Sequence, residues 1–404
     1  MIVMMMFLLV ACEKTENISG YYEGSIHVNG QELFIEIDLD VEETLAGTIN
    51  IPSQGISKLP LSRSKIKDKD LEFEIHVGSQ VGFFKGKYKA DEISGTFEQN
   101  GAVFDFDLKR VPLKVYENRT TVEINVDDRK LTGELIVAEQ EEKMPVALII
   151  AGSGPTDMDG NNVAGGVVTD SYLLLAEALE EKGISTLRYN KGFINNPMNE
   201  ASLRFEDLVD DAVLMIDYLN HDERFSEIIL IGHSQGALVA QLASLETDVD
   251  KVVILAGAGR RIDLVMKDQL MRQLDADTLR VAESILKSLS QGQLITEIPE
   301  SLSSLFRDSI QPFLISWMAY DPLQILNMMT TETLVISGSQ DSQVNVSEAE
   351  RLRTSSNQVT YQLIENMNHV LKNVKNETEN LAAYQNKDLP IHEVLVEALE
   401  KFIQ

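Results

Sequence analysis

The sequence predicts two domains: a small antiparallel all-β domain over residues 17–112, followed by an α/β domain over 113–404 built on a doubly wound, mostly parallel sheet. Three observations predict this. Between Tyr21 and Val111 apolar and polar residues alternate at period two; after Pro112 the strand-like runs become almost continuously apolar; and helical patterns fall between those runs.

The first domain reads as FIEIDLDV, TINI, LEFEIHV, GFFKGKYK, ISGTFEQ and VFDFDLKRV, separated by short polar turns and with no helical stretch between them. Six or seven such strands predict a small barrel or sandwich. His27 and His76 stand singly on alternating strands, as surface or packing residues, and this domain receives no chemistry.

In the second domain TTVEINV and LTGELIVA lead into PVALIIAGSG, ISTLRYN, EIILIGHS, KVVILAGAG, ETLVISGS and VTYQLIE. Strands apolar on both sides need helices on both faces of the sheet. LLLAEALEEKG supplies one, and Leu208, Ala212, Met215, Ile216 and Leu219 form the apolar stripe of another. Residues 260–330 break the alternation: they are rich in Leu, Met and Ile at helical spacing and predict a helical lid inserted between two strands.

Composition narrows the function. With 35 basic and 64 acidic residues the formal charge is -29, which repels phosphate backbones and excludes nucleic acid as a partner class. A single cysteine, Cys12, rules out an internal disulfide and a cysteine-based zinc site. It follows the apolar run Ile2 to Ala11, far shorter than the roughly 20 residues that span a bilayer. Such a run, with small residues before the cysteine and polar sequence after it, is expected to be an export signal over 1–12. Leu9-Val10-Ala11-Cys12 resembles the lipobox of bacterial lipoproteins. That resemblance implies lipidation at Cys12 and a chain exported and lipid-anchored to the bacterial cell envelope.

Gly232-His233-Ser234-Gln235-Gly236 fits G-x-S-x-G between the strand EIIL and the helical ALVAQLAS. A strand-turn-helix setting of this kind exposes the serine hydroxyl at the strand end as a nucleophile. A serine hydroxyl needs a base, and the chain order Ser, Asp or Glu, His leaves His369 and His392 downstream. His369 lies in the loop after VTYQLIE, where the base belongs, whereas His392 opens the last helix and reads as a surface or capping residue. His233, within the turn, is expected to point elsewhere. The acid follows the preceding strand at Asp341; Asp321 in the lid and Glu365 closing the last strand are the poorer alternatives. Oxyanion donors are expected from the backbone N–H of Gln235 and, in the loop after VALII, of Ser153. No metal or cofactor is required.

GSGPTDMDGNN, STLRYNKG, IGHSQG, SGSQDSQV and MNHVLK together resemble the bacterial α/β-hydrolase esterases related to the serine aminopeptidase family, including those with a β-rich domain ahead of the hydrolase domain. Carried over residue by residue, the resemblance implies Ser234 as nucleophile, Asp341 as acid, His369 as base, and oxyanion contacts at Ser153 and Gln235. Position 151 is alanine where many relatives have histidine, and Asn190-Lys191 stand where Asp and Lys-Arg are more frequent. The implied activity is cleavage of small carboxylic esters with short or medium acyl groups, with Trp317 and Met318 among the lid residues available to line the acyl pocket. Two alternatives stay open. An aminopeptidase or amidase on the same triad would need an acidic anchor such as Asp157 or Asp159, and a non-catalytic surface binding protein would use the β domain. The oligomeric state is not legible in the sequence.

Overall fold

The computed structural model describes residues 17–404 except 29–30, 42–43, 52–55, 78–79, 113–117, 127–128, 140–141, 196–199 and 355–358. The export signal and Cys12 lie outside the described residues. The chain divides into two compact units, Met1–Tyr116 and Glu117–Gln404.

The first unit holds nine strands: β1 (Gly20–Val28), β2 (Gln31–Val41), β3 (Leu45–Ile51), β4 (Ile56–Pro60), β5 (Ser62–Lys67), β6 (Asp70–Val77), β7 (Gln80–Lys89), β8 (Glu92–Gln99) and β9 (Ala102–Val111). Their order is β4-β3-β2-β1-β9-β8-β7-β6-β5, antiparallel throughout. The two ends of this ladder, β4 and β5, are joined by the single residue Leu61, whose N–H bonds the Gly47 carbonyl at 3.0 Å. That continuity brings the ends together and rolls the sheet into a barrel. β4 and β5 act as one bent strand, the first half paired to β3 and the second to β6. Sequence reading undercounts these strands because β1 carries Gly and Ser among its apolar residues and β4 and β5 are short and rich in Ser and Lys. Inside, Phe84 stacks on Phe73 at 4.8 Å between centroids and meets Phe97 at 4.6 Å and Phe106 at 5.2 Å. Aromatic side chains therefore fill the interior.

The second unit carries β10 (Arg119–Val126), β11 (Arg129–Ile136), β12 (Met144–Ile150), β13 (Ser185–Asn190), β14 (Phe225–His233), β15 (Lys251–Leu255), β16 (Glu332–Gly338) and β17 (Val359–Ile364), ordered β10-β11-β13-β12-β14-β15-β16-β17. The pairs β10/β11 and β11/β13 are antiparallel and the others parallel. This is the α/β-hydrolase fold. Alternate strand residues feed two separate cores. Val146, Leu148, Ile150, Leu230 and Ile254 pack with the helices Phe205–Asn220 and Gln235–Glu246, while Ala147, Ile149, Ile229, Ile231 and Val253 pack with Ser171–Glu180 and Glu393–Ile403. Between β15 and β16 come the helices Ile262–Leu270, Ala276–Leu289, Ser303–Phe306, Gln311–Met318 and Pro322–Met328. The strand order reverses around β12, whose neighbours β13 and β14 follow it on opposite sides. In an open parallel sheet that reversal leaves a crevice beyond the carboxyl ends of the strands. No helix among the described residues is long and apolar enough to cross a membrane.

Replacing Phe84, which is fully buried, by Ala removes the ring that three others contact. Urea unfolding of the full chain is expected to show a loss of about 3–5 kcal/mol; a loss under about 1 kcal/mol would contradict a packed barrel interior.

Candidate active site

The loops at the carboxyl ends of β12, β13, β14, β16 and β17 build the site. Ser234 occupies the turn between β14 and the helix Gln235–Glu246 with φ 54° and ψ -116°, a conformation an L-residue holds only under constraint. The flanking glycines make it fit. A Cβ on Gly232 would lie 2.3 Å from the Gly236 carbonyl oxygen, and one on Gly236 would lie 2.2 Å from that of Ile150. The N–H of Ser234 bonds the Leu255 carbonyl at 2.9 Å and ties the turn to β15. Gln235 opens the helix, so its backbone N–H has no partner within the helix.

His369 and Asp341 are both buried, and His369 Nδ1 donates to Asp341 Oδ2 at 2.8 Å. With its proton kept at Nδ1 and directed at the carboxylate, the neutral ring has its lone pair at Nε2. The other oxygen, Asp341 Oδ1, accepts the N–H groups of Gln343 and Val344 at 2.8 Å each, which fixes the plane of the carboxylate. The alternatives are committed elsewhere. Asp321 caps the helix Pro322–Met328, accepting from Leu323 N at 3.0 Å, and Glu365 is exposed. His392 takes the N-cap position of the last helix, as its place in the sequence suggests, but it is buried instead of lying on the surface, and its side chain bonds the Glu365 carbonyl at 3.0 Å and not the helix end. His27 and His76 remain partly exposed on the barrel, bonding Asp107 and Glu74.

Ser153, Ser234 and Gln235 line one cavity of about 260 Å³, together with Leu238, Val344 and residues of the inserted helices. Among the latter, Trp317 lines the cavity and stacks on Phe205 at 5.6 Å and 10°, whereas Met318 packs into the core. Among the described residues the lining contains no Asp or Glu and one cation, Arg260, already paired with Glu348 and Asp268. Asp157 and Asp159 are not in it. Asp157 Oδ1 accepts the N–H groups of Asp159 and Asn161 at 3.0 and 2.8 Å, forming a turn. Asp159 stands 3.3 Å from Arg188 and is pushed by burial up to about 7. Among the described residues no cluster of three or more His, Cys, Asp or Glu is arranged to hold a metal ion.

The model of the family described as serine aminopeptidase, S33, matches residues 166–376, more than half of the chain and a span that contains Ser234, Asp341 and His369. The chain belongs to the serine aminopeptidase family S33. Esterase EstD of Thermotoga maritima is 26% identical over 286 residues, which cover 66% of this chain and 65% of the relative. The chain thus spans about 65% of the length of the curated relative it matches. Among solved structures, Est1E from Butyrivibrio proteoclasticus covers 70% of this chain and 96% of its own at 18% identity and TM-score 0.47. Proline iminopeptidase from Mycobacterium smegmatis covers 70% and 98% at 13% identity and TM-score 0.44.

Three residues of this S33 chain enter the site without a sequence signal for it. Tyr172 OH accepts the Gly152 N–H at 3.0 Å and donates to His233 Nδ1 at 2.7 Å; His233 Nε2–H then donates to the His369 carbonyl at 2.9 Å. One chain of hydrogen bonds therefore links the loop after β12, the residue before Ser234 and the backbone of His369. Lys191, at the end of β13, is buried and donates to the carbonyls of Gly152 and of Gly154, the latter at 2.7 Å. The amphipathic alternation that reveals strands says nothing about these contacts, which join residues far apart in the chain.

Burial, reinforced by the neighbouring His369, holds the His233 imidazole neutral down to about 3. In the unfolded chain it takes up a proton below about 6.5. Acid therefore favours unfolding between those values, and His233 adds a stability that rises from about pH 3 to a plateau near the unfolded value. In pH-dependent urea unfolding, H233N is expected to flatten that part of the profile relative to the parent; an unchanged slope would show that His233 titrates alike in both states.

Proposed function

We propose that the protein is a serine hydrolase of carboxylic esters, with Ser234 as nucleophile, His369 as base and Asp341 as the acid that orients it. His369 Nε2 takes the Ser234 proton as Oγ adds to the ester carbonyl. The tetrahedral oxyanion accepts from the backbone N–H groups of Ser153 and Gln235. His369 returns the proton to the departing alkoxide, and the leaving alcohol frees an acyl-Ser234 ester. Water, deprotonated by the same imidazole, then releases the acid. Asp341, held by Gln343 and Val344, keeps Nδ1 protonated and carries the charge opposite the imidazolium.

One observation carries the choice of ester over amino-acyl amide: the cavity at Ser234 is lined by Leu238, Ile262, Val265, Met266, Leu314 and Trp317 and, among the described residues, by no carboxylate. An aminopeptidase has to hold a substrate ammonium, and an uncompensated cation in such a pocket is costly to desolvate. A cavity of about 260 Å³ is small for a ligand site and suits a short or medium acyl chain. The lipid anchor rests on the sequence around Cys12; a C12A chain is expected to leave the membrane fraction, and its retention there would remove the anchor.

The test compares p-nitrophenyl esters of increasing acyl length with amino-acyl p-nitroanilides, alongside a fluorophosphonate probe. Ester turnover with labelling at Ser234 is expected, lost in S234A and H369A and reduced on the order of 10⁴-fold in D341N. Turnover of the anilides alone would overturn the ester assignment. Absence of both turnover and labelling in the folded protein would favour a binding protein.

A further inference from the structure

The Lys191 side chain is unusual for its surroundings. It is buried, and no carboxylate among the described residues forms an ion pair with it. Its ammonium is directed at two carbonyl oxygens of one loop, those of Gly152 and Gly154, with the Phe193 ring centroid 5.7 Å away. Burial disfavours the charged form and pushes it down to about 7, a desolvation penalty that Asp211 and Asp157 partly offset at longer range.

The geometry of a peptide explains what that penalty secures. The Gly152 carbonyl and the Ser153 N–H belong to one planar trans unit and point to opposite edges of it. An ammonium that holds the carbonyl on one side therefore aims the N–H to the other, and Ser153 lines the Ser234 cavity. Gly152, at one end of this unit, has no Cβ to restrict its ψ, so an untethered unit turns over more readily than one between two substituted residues. The preceding peptide is fixed as well, through the bond from Gly152 N–H to Tyr172. Next to Lys191, Asn190 Oδ1 accepts the Met158 N–H at 2.8 Å and pins the far end of the same loop. A cation on the carbonyl also polarises the peptide, which strengthens its N–H as a donor to an anion.

We propose that Lys191 is a positioning residue for the oxyanion site: by holding the Gly152 and Gly154 carbonyls it fixes the peptide whose N–H, at Ser153, receives the tetrahedral oxygen. This rests on the reading of Ser153 as an oxyanion donor. Lys191 is not among the residues that line the Ser234 cavity, so its removal is expected to act on the transition state and leave ground-state binding in place.

The experiment compares the full-length parent with K191M, K191Q and K191R on a p-nitrophenyl butanoate assay, together with inhibition by an alkylboronic acid, which forms a tetrahedral adduct on serine. In the neutral variants kcat is expected to fall roughly 10–100-fold with KM within about threefold, and the boronate inhibition constant to rise by a similar factor to the fall in kcat. K191R, which keeps the charge and the donors, is expected to recover part of the loss. Neutral variants with kcat within twofold of the parent would overturn the proposal. So would equal losses in K191R and K191M, or a failure of both neutral variants to fold, which would make Lys191 a folding residue. Absence of ester turnover in the parent would instead overturn the esterase reading.

Discussion

Where β14 turns into the helix Gln235–Glu246, backbone passes so close to backbone that no side chain fits at 232 or 236. Gly236 lies against the Ile150 carbonyl of β12, so the constraint is shared between the strand that carries the serine and the strand that leads to the loop of Ser153. Everything else at the site is positioned from this contact. The serine takes its positive φ where the turn leaves little room for another path, and the helix begins at Gln235, whose N–H has no partner within the helix.

A second constraint is the burial of polar side chains beneath the crevice, Lys191, His233 and His369 among them. Polar groups buried there must find partners in the protein. The path from Gly152 through Tyr172 and His233 to the His369 carbonyl does this for four groups and couples three loops that come from distant parts of the chain. Lys191 does the same for two carbonyls of the Ser153 loop. Such networks favour one arrangement, because displacing a member leaves a buried donor or acceptor unsatisfied. The cavity above is lined largely by apolar side chains, whereas the polar layer below it maintains shape.

The parallel sheet was legible because strands buried on both faces have a distinctive composition: LIIAG, VVILAG and LVISG contain almost no polar residue. The helix carrying Leu208 to Leu219 was legible from its apolar period, and all five residues of that stripe are buried, whereas the helix after Ser234, buried nearly all round, was read from its place after the strand and turn. Ser234, Asp341 and His369 were identified by position along that framework, each just past a strand end, and the structure brings Asp341 and His369 into contact across 28 residues of chain. The barrel was legible as antiparallel strands, but its closure was not. It depends on β4 and β5 sharing one bent course through Leu61, and both are too short and too polar to announce themselves.

What the sequence by itself determined is the order of elements and the chemical identity of the groups at the strand ends, because both follow from local periodicity and from residue types that few environments tolerate. Tertiary structure alone decided which buried groups answer one another. Asn190 and Lys191 read as minor departures in a motif, and His233 as a residue facing away. Their partners at Met158, Gly152, Gly154, Tyr172 and His369 are backbone atoms and distant side chains that no spacing rule connects. A backbone carbonyl has the same formula at every position, so only folding reveals which one a buried ammonium will meet.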